Sequence, residues 1–341
     1  MKLESQPLVS VVTPVYNCAE YLSECIESVL AQTYQNWNYT IVNNCSTDGT
    51  AEIARRYAAR DRRIRVLENQ EFLRAVQNHN HALRQISPAS KYCKIVFADD
   101  WIFPACLEEM VALAEEHPSV GIVGAYGLKG REVMWAGLPY PSRLVTGRDI
   151  CRKLFLDRLY VFGSATSLLY RSSLVRAHDP FYNESNIHAD MEACVSLLRN
   201  CDFGFIHQVL TFSRARAGSL ETVSSDFNSL AAGKLYDLVT YGQNFLTPEE
   251  HTACVNRSVG LYYESLVGGM LRGLDSKYWD FHKKKLAELG IHFSRTRMLK
   301  VAMVKSFMAV LNPRAAVEKA IVIGNEFVRR RRTTIPSIET K

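Results

Sequence analysis

Short apolar runs and helix-period stripes alternate through roughly the first two-thirds of the 341-residue chain. Leu8-Val-Ser-Val-Val-Thr13 is rich in β-branched residues and is followed by Pro14, a buried-strand pattern with a breaker behind it. Residues 20–33 then carry Tyr21, Leu22, Cys25, Ile26, Val29 and Leu30 as a helical stripe. Tyr39-Thr-Ile-Val42 predicts a second strand, and Ser46-Thr-Asp-Gly-Thr50 supplies turn and cap chemistry for a helix near 49–60. Ile64-Arg-Val-Leu67 and Cys93-Lys-Ile-Val-Phe97 predict two further strands, separated by a helix over 72–86. Pro104 opens a helix running to about His117, at the first-turn position where its missing N–H costs least, and Val120-Gly-Ile-Val123 predicts the fifth strand. This alternation predicts an α/β fold, a doubly wound, mostly parallel sheet covered by helices on both faces. Such sheets bind ligands beyond the carboxyl ends of their strands, so the residues after each strand are where chemistry is sought.

Between 127 and 147 the pattern loosens into a glycine- and proline-rich loop, followed by a strand near 163–170, a helix over 188–200 and a strand near 204–213. Beyond Gly218-Ser219 only the helical period remains, over 226–243, 247–272, 276–289, 297–311 and 313–330. A division near 220 follows, with a catalytic α/β domain over 1–220 and a helical C-terminal region over 221–341.

Five strand ends or helix starts carry candidate chemistry. The fourth strand delivers Asp99 and Asp100, adjacent carboxylates that repel unless a cation or donor groups share them. A divalent ion held with substrate phosphates is one solution, and an acidic helix start before Pro104 is the other. The second strand delivers Asn43 and Asn44, whose amides offer donors and acceptors to a nucleobase or ribose, or simply to a turn; Asp48 nearby reads as a helix cap. Thr13 and Tyr16 end the first strand and can line the same crevice. Asp190 lies in His188-Ala-Asp-Met-Glu192, where an acid serves as a general base or as a helix N-terminal charge. Arg214 and Arg216, on alternate positions after the last strand, can clamp a phosphate or stay solvated.

Composition narrows the class little. The chain is 47% hydrophobic and 22% charged, ordinary globular values, and its 9 cysteines include no Cys-x-x-Cys pair. Scattered thiols suit a reducing compartment. The N-terminus lacks the basic and apolar regions of a signal peptide, and no apolar run is long enough to span a bilayer, so a cytoplasmic protein, soluble or peripheral, is expected. Charge is unevenly placed. Residues 281–341 hold 14 Lys+Arg against 4 Asp+Glu, while the remainder is slightly acidic. Val317, Ile321, Gly324 and Val328 form a stripe before Arg329-Arg-Arg-Arg332, and Arg297, Lys300 and Lys305 punctuate the preceding helix. This reads as a peripheral anchor on an anionic membrane surface, or as packed helices with a solvated basic end. No recognition motif accompanies the charge, so nucleic acid is not expected as a partner.

Taken together, the motifs resemble family 2 glycosyltransferases, which have the GT-A fold. The matching pieces are Val9-Ser-Val-Val-Thr-Pro-Val-Tyr-Asn17, Ser28-Val-Leu-Ala-Gln-Thr-Tyr34, Ser46-Thr-Asp-Gly-Thr50 and Ala98-Asp-Asp-Trp-Ile-Phe-Pro104, in family order and spacing over about 1–220. The resemblance implies that Thr13, Tyr16, Asn43 and Asn44 hold the nucleoside of a nucleoside-diphosphate sugar. It implies that Asp99 and Asp100 stand at the family's Asp-x-Asp motif, with Asp100 on a divalent metal, Mg2+ or Mn2+, and Asp99 nearer the ribose. Asp190 falls at the catalytic base, and Arg214 at a basic residue near the diphosphate. The implied reaction is inverting transfer of one sugar to the hydroxyl of a saccharide or lipid-linked saccharide in surface polysaccharide or glycolipid assembly. Transmembrane helices and the Gln-x-x-Arg-Trp motif of the processive synthases are absent from the sequence.

Three positions depart from the family pattern. Asn43-Asn44 stands where Asp-Asp is usual, Ala189 where an acid commonly precedes the base, and Arg216 where a metal-ligating histidine is frequent. Arginine stays protonated and has no lone pair to give a metal. These departures admit an inactive nucleotide-sugar-binding homologue acting as a scaffold; Asp99, Asp100 and Asp190 favour an enzyme. A sugar-nucleotide pyrophosphorylase would instead show a Gly-rich loop after its first strand.

Overall fold

The computed structural model describes residues 6–214, 224 and 227–311. Its elements are β1 (Val9–Val15), α1 (Ala19–Leu30), β2 (Trp37–Asn43), α2 (Thr50–Ala58), β3 (Ile64–Glu68), α3 (Ala75–Leu83), β4 (Tyr92–Ile95), β5 (Trp101–Ile102), α4 (Cys106–Glu116) and β6 (Val120–Lys129). There follow β7 (Glu132–Met134), β8 (Leu144–Val145), α5 (Gly147–Asp157), a 3-10 turn (Ala165–Ser167), β9 (Leu168–Arg171), α6 (Ser172–Arg176), α7 (Ala189–Leu197) and β10 (Asp202–Ser213). Four helices complete the described chain, α8 (Ser229–Tyr241), α9 (Pro248–Leu271), α10 (Ser276–Glu288) and α11 (Arg295–Leu311).

The strands form one mixed sheet in the order β3-β2-β1-β4-β9-β6-β10-β5, with β7 on β6 and β8 on β10. β3, β2, β1 and β4 are parallel, as are β6 and β10, while β9 runs against both of its neighbours. All seven residues of β1 are buried, as expected of an inner strand with both faces covered. Val9, Val11 and Val15 face the core shared with α1, α2 and α4, and Ser10 on the opposite face accepts the Ser87 amide after α3. On α1 the buried residues Leu22, Cys25, Ile26 and Val29 make the expected stripe, each worth about 1.5–3 kcal/mol when fully buried if aliphatic.

Two local expectations change. Pro14 does not end β1. The strand pairs with β4 only as far as Val12, and beyond that point only with β2, so Pro14 lies where one side needs no ladder donor. The loosened stretch after residue 127 contains β7 and β8, of three and two residues, too short to leave a periodic signal. Gly127 is required there because a Cβ would come within 2.6 Å of the Trp135 indole nitrogen.

Two compact units divide the chain, one over Met1–Ala215 with Thr240–Glu250, the other over Arg216–Val239 with His251–Lys341. The described part of the second is helical, with a core that includes Leu235, Val259, Tyr262, Tyr263, Leu266, Tyr278 and Leu286. Gly269 lets α9 meet α10 closely, since a Cβ would lie 2.7 Å from the Tyr278 ring. The helix expected over 313–330 and the Arg329–Arg332 cluster lie outside the described residues.

Candidate functional site

The ends of β1, β2 and β3 are joined by turn chemistry and amides. Asn17 and Cys45, just past β1 and β2, have φ of 44° and 57°, the left-handed region that asparagine tolerates better than most residues. Asn17 closes the two loops together, its backbone N–H donating to Ser46 Oγ at 3.0 Å and its Oδ1 accepting the Thr47 amide at 2.8 Å. Asn44 is buried and clamps the backbone of Leu73, accepting its N–H at 2.9 Å and donating to its carbonyl at 2.8 Å. That double bond fixes the Asn44 amide, so Asn69 Nδ2 must donate to Asn44 Oδ1; it also donates to Asn78 Oδ1, each at 2.9 Å. Asn43 donates to Glu68 at 2.5 Å. The clamp presents Phe72 beside Tyr16, two exposed rings 4.9 Å apart in an edge-to-face arrangement.

Beyond β4 the two acids part company. Asp100 is buried, and its oxygens accept from the Thr166 hydroxyl at 2.7 Å, the Arg214 amide at 3.0 Å and the Ser213 hydroxyl at 3.4 Å. Burial, with the charge of Asp99, still pushes its carboxyl up to about 7. Asp99 remains half-buried. The 3-10 turn that carries Thr166 is itself held by Lys94, a wholly buried lysine of β4 whose ammonium donates to the carbonyls of Thr166 at 2.7 Å and Leu168 at 3.2 Å. Burial lowers the Lys94 pKa from the usual lysine value.

Asp190 stands in the first turn of α7 and accepts the Met191 amide at 2.9 Å. Burial lifts its carboxyl to about 6. Its neighbour Glu192 ties down the approach to the helix, accepting from both Asn183 and Asn186, the latter at 2.8 Å, and from the Tyr241 hydroxyl at 2.9 Å. His79 of α3 lies between the β4 end and this approach, 5.0 Å from the Phe97 ring and 6.4 Å from Tyr182. Burial lowers its pKa to about 4, so its imidazole is neutral at pH 7 and able both to donate and to accept.

Several expected residues are committed elsewhere. Thr13 is fully buried. Its hydroxyl donates to the Val96 carbonyl and receives the Tyr39 hydroxyl, both at 2.7 Å, so it knits the core and offers nothing to a nucleoside. Arg214 does not stand free to clamp a phosphate. Its guanidinium pairs with Glu24, donates to the Asp99 carbonyl at 3.2 Å and lies 4.6 Å from the Tyr21 ring centre. Asn43 and Asn44 hold protein groups, not open ones. Asp100, the expected metal ligand, has most of its lone pairs taken by three donors. Arg216 lies outside the described residues. Asp99, Asp100 and Arg214 are brought together at one strand end and Tyr16, Asn43 and Asn44 at another, whereas Asp190 is carried separately on α7. Among the described residues no group of three or more His, Cys, Asp or Glu is placed to hold a metal. A divalent ion beside these acids would need substrate oxygens to complete its shell, as a nucleoside diphosphate supplies.

Phe72, His79, Glu192, Lys94 and Thr166 were not singled out in the sequence. Only Lys94 left a signal, a cation inside an otherwise apolar strand run; the others become visible once the loops are folded.

Comparison with known proteins sets this geometry among relatives. The model of the family described as Glycosyl transferase family 2 matches residues 10–177. The chain is 34% identical over 164 residues to the putative glycosyltransferase EpsE of Bacillus subtilis, covering 46% of this chain and 58% of that protein. It is 39% identical over 95 residues to the putative teichuronic acid biosynthesis glycosyltransferase TuaG of the same organism, covering 28% and 37%. The chain thus spans less than two thirds of the length of either relative. Among solved structures, S. aureus TarS 1–349 in complex with UDP-GlcNAc superposes with a TM-score of 0.62 at 17% identity, covering 82% of this chain and 80% of that one. The mannosyltransferase PcManGT of Pyrobaculum calidifontis, in complex with GDP-Man and Mn2+, superposes with a TM-score of 0.53 at 14% identity, covering 89% and 88%. At these identities the likeness is one of fold.

Proposed function

We propose that the chain, whose residues 10–177 match the Glycosyl transferase family 2 model, moves a single sugar, with inversion, from a nucleoside-diphosphate sugar to an acceptor hydroxyl. The observation that carries the reading is Asp190, a helix-start carboxylate lifted to about 6, which stays ionised at neutral pH yet is basic enough to take a proton. The nucleotide sugars named with TarS and PcManGT, and the Mn2+ named with the latter, support a donor and a metal of those kinds.

In this reading the nucleoside rests against Tyr16 and Phe72, on loops that Asn17, Asn43 and Asn44 hold in shape. Stacking on two exposed rings is tolerant of base identity, so the amides act by positioning the platform. The diphosphate lies beyond β4, where Asp99 would hold Mg2+ or Mn2+ together with phosphate oxygens. When bound, that ion neutralises charge on the departing diphosphate. Asp100 keeps the Asp99 loop and the start of Arg214 in register. The acceptor oxygen attacks the anomeric carbon as its proton passes to Asp190. The bond from that carbon to the diphosphate oxygen breaks, and the nucleoside diphosphate leaves with the electron pair.

The acceptor is a saccharide or lipid-linked saccharide, consistent with the teichuronic acid biosynthesis named for TuaG, and an anionic membrane surface is the matching partner of the basic C-terminal region. Among the described residues no helix is long and apolar enough to cross a membrane. The test is a panel of UDP-, GDP- and dTDP-sugars with and without Mn2+ or Mg2+, reading thermal stabilisation and release of nucleoside diphosphate. Metal-dependent stabilisation by one nucleotide class is expected; stabilisation by none contradicts the reading.

A further inference from the structure

Among the described residues, helix α11 is docked by one side. Met298 and Val301 pack on the helical core, Arg297 lies 5.2 Å from the Tyr263 ring centre, and Lys305 pairs with Glu264 at 3.6 Å. The other side turns Leu299, Met303, Val304, Phe307, Val310 and Leu311 to solvent, with 56% to 76% of each residue exposed. Their spacing of three and four residues gathers them on one face. Six large apolar residues together on an open helix face are the mark of an interaction surface.

Charge selects the occupant. α11 carries Arg295, Arg297, Lys300 and Lys305 and no Asp or Glu. Arg295 and Lys300 are exposed beside the apolar face, and among the described residues no carboxylate pairs with either. A second copy of the chain is a poor fit, because a two-fold contact sets the same cations against themselves. An interface that is apolar inside and anionic at its rim fits both features, and that is the headgroup region of an anionic bilayer.

We propose that the exposed face of α11 binds the surface of an anionic membrane, with Leu299, Met303, Phe307 and Val310 entering the headgroup–acyl boundary and Arg295 and Lys300 on lipid phosphates. This deepens the reading of a lipid-linked acceptor and rests on it for its purpose, but the contact itself is measured without the reaction. The full chain is sedimented with vesicles of phosphatidylcholine alone and with about 30 mol% phosphatidylglycerol, at low and high salt. Binding is expected to the anionic vesicles, to weaken at high salt, and to fall about tenfold or more in Phe307→Glu/Val310→Glu and in Arg295→Glu/Lys300→Glu. The nucleotide-induced thermal shift, measured on the same samples, is expected to be unchanged, so a failure of the membrane contact is told apart from a failure of the transfer reading. An intact chain that ignores anionic vesicles, or a Phe307→Glu/Val310→Glu chain that binds them like the wild type, overturns the proposal. So does a light-scattering mass showing a dimer that the same variant dissolves.

Discussion

The Thr166 hydroxyl accepts the Phe97 amide at 3.1 Å and donates to Asp100 at 2.7 Å. With the first position taken by an N–H, the hydroxyl proton has Asp100 as its destination, and Asp100 must present an acceptor. Thr166→Val keeps the shape but removes both bonds. It is expected to cost about 1–3 kcal/mol in a urea titration, while Thr166→Ser restores most of the loss.

Two carboxylates with raised pKa values make the fold pH-sensitive in a defined direction. Asp100 and Asp190 are lifted to about 7 and about 6, so between the ordinary carboxylate range and neutrality the folded chain holds protons that the unfolded chain has released. Their contribution to stability is fully present below the unfolded pKa and is lost as pH rises through 6 and 7. Asp190→Asn removes one of the two costs. The variant is expected to be more stable than wild type by about 1–2 kcal/mol at pH 8, with the difference closing near pH 4, as read by denaturant midpoints at both values.

The same lifted pKa sets the rate profile. If Asp190 takes the acceptor proton, kcat/KM should fall about tenfold per unit below pH 6 and level off above it. A profile that stays flat down to pH 5 would take the proton-accepting role away from Asp190.

Much of this architecture was legible from hydrophobic period alone. The strand runs at Val9, Tyr39, Cys93 and Val120 are buried stretches rich in β-branched or aromatic residues, and burial of that kind writes itself into the sequence; the run at Ile64 is only partly buried. The antiparallel direction of β9 was not legible, because residues Leu168–Arg171 look the same whichever way they pair. The division of work among polar residues was hidden for a related reason. Thr13 and Arg214 sit at the expected strand ends, but whether a hydroxyl or guanidinium faces inward depends on Tyr39 and Glu24, which are distant in sequence. Asp99 and Asp100 are adjacent and chemically equal; only folding buries one beneath Thr166, Ser213 and Arg214. The scaffold around Asp190 depends on Glu192 reaching Asn183, Asn186 and Tyr241, a convergence no spacing announces.

In the proposed reading, Tyr16 and Phe72 are a second handle on the donor. Removing either ring, as Tyr16→Ala or Phe72→Ala, is expected to take away stacking of the kind worth about 1–3 kcal/mol per base on aromatic side chains. Donor KM should rise about tenfold or more with kcat little changed, since the loss falls equally on ground and transition states. Initial-rate measurements over a range of donor concentrations separate the two constants.

Whether Asp190 takes the acceptor proton is decided by one paired measurement. Donor affinity and single-turnover release of nucleoside diphosphate are measured for the wild type and for Asp190→Asn, in the presence of acceptor and Mn2+. The variant is expected to bind donor within about threefold of wild type while its turnover falls at least about a hundredfold, the loss of a general base. A variant that binds donor and still turns over at the wild-type rate would contradict it.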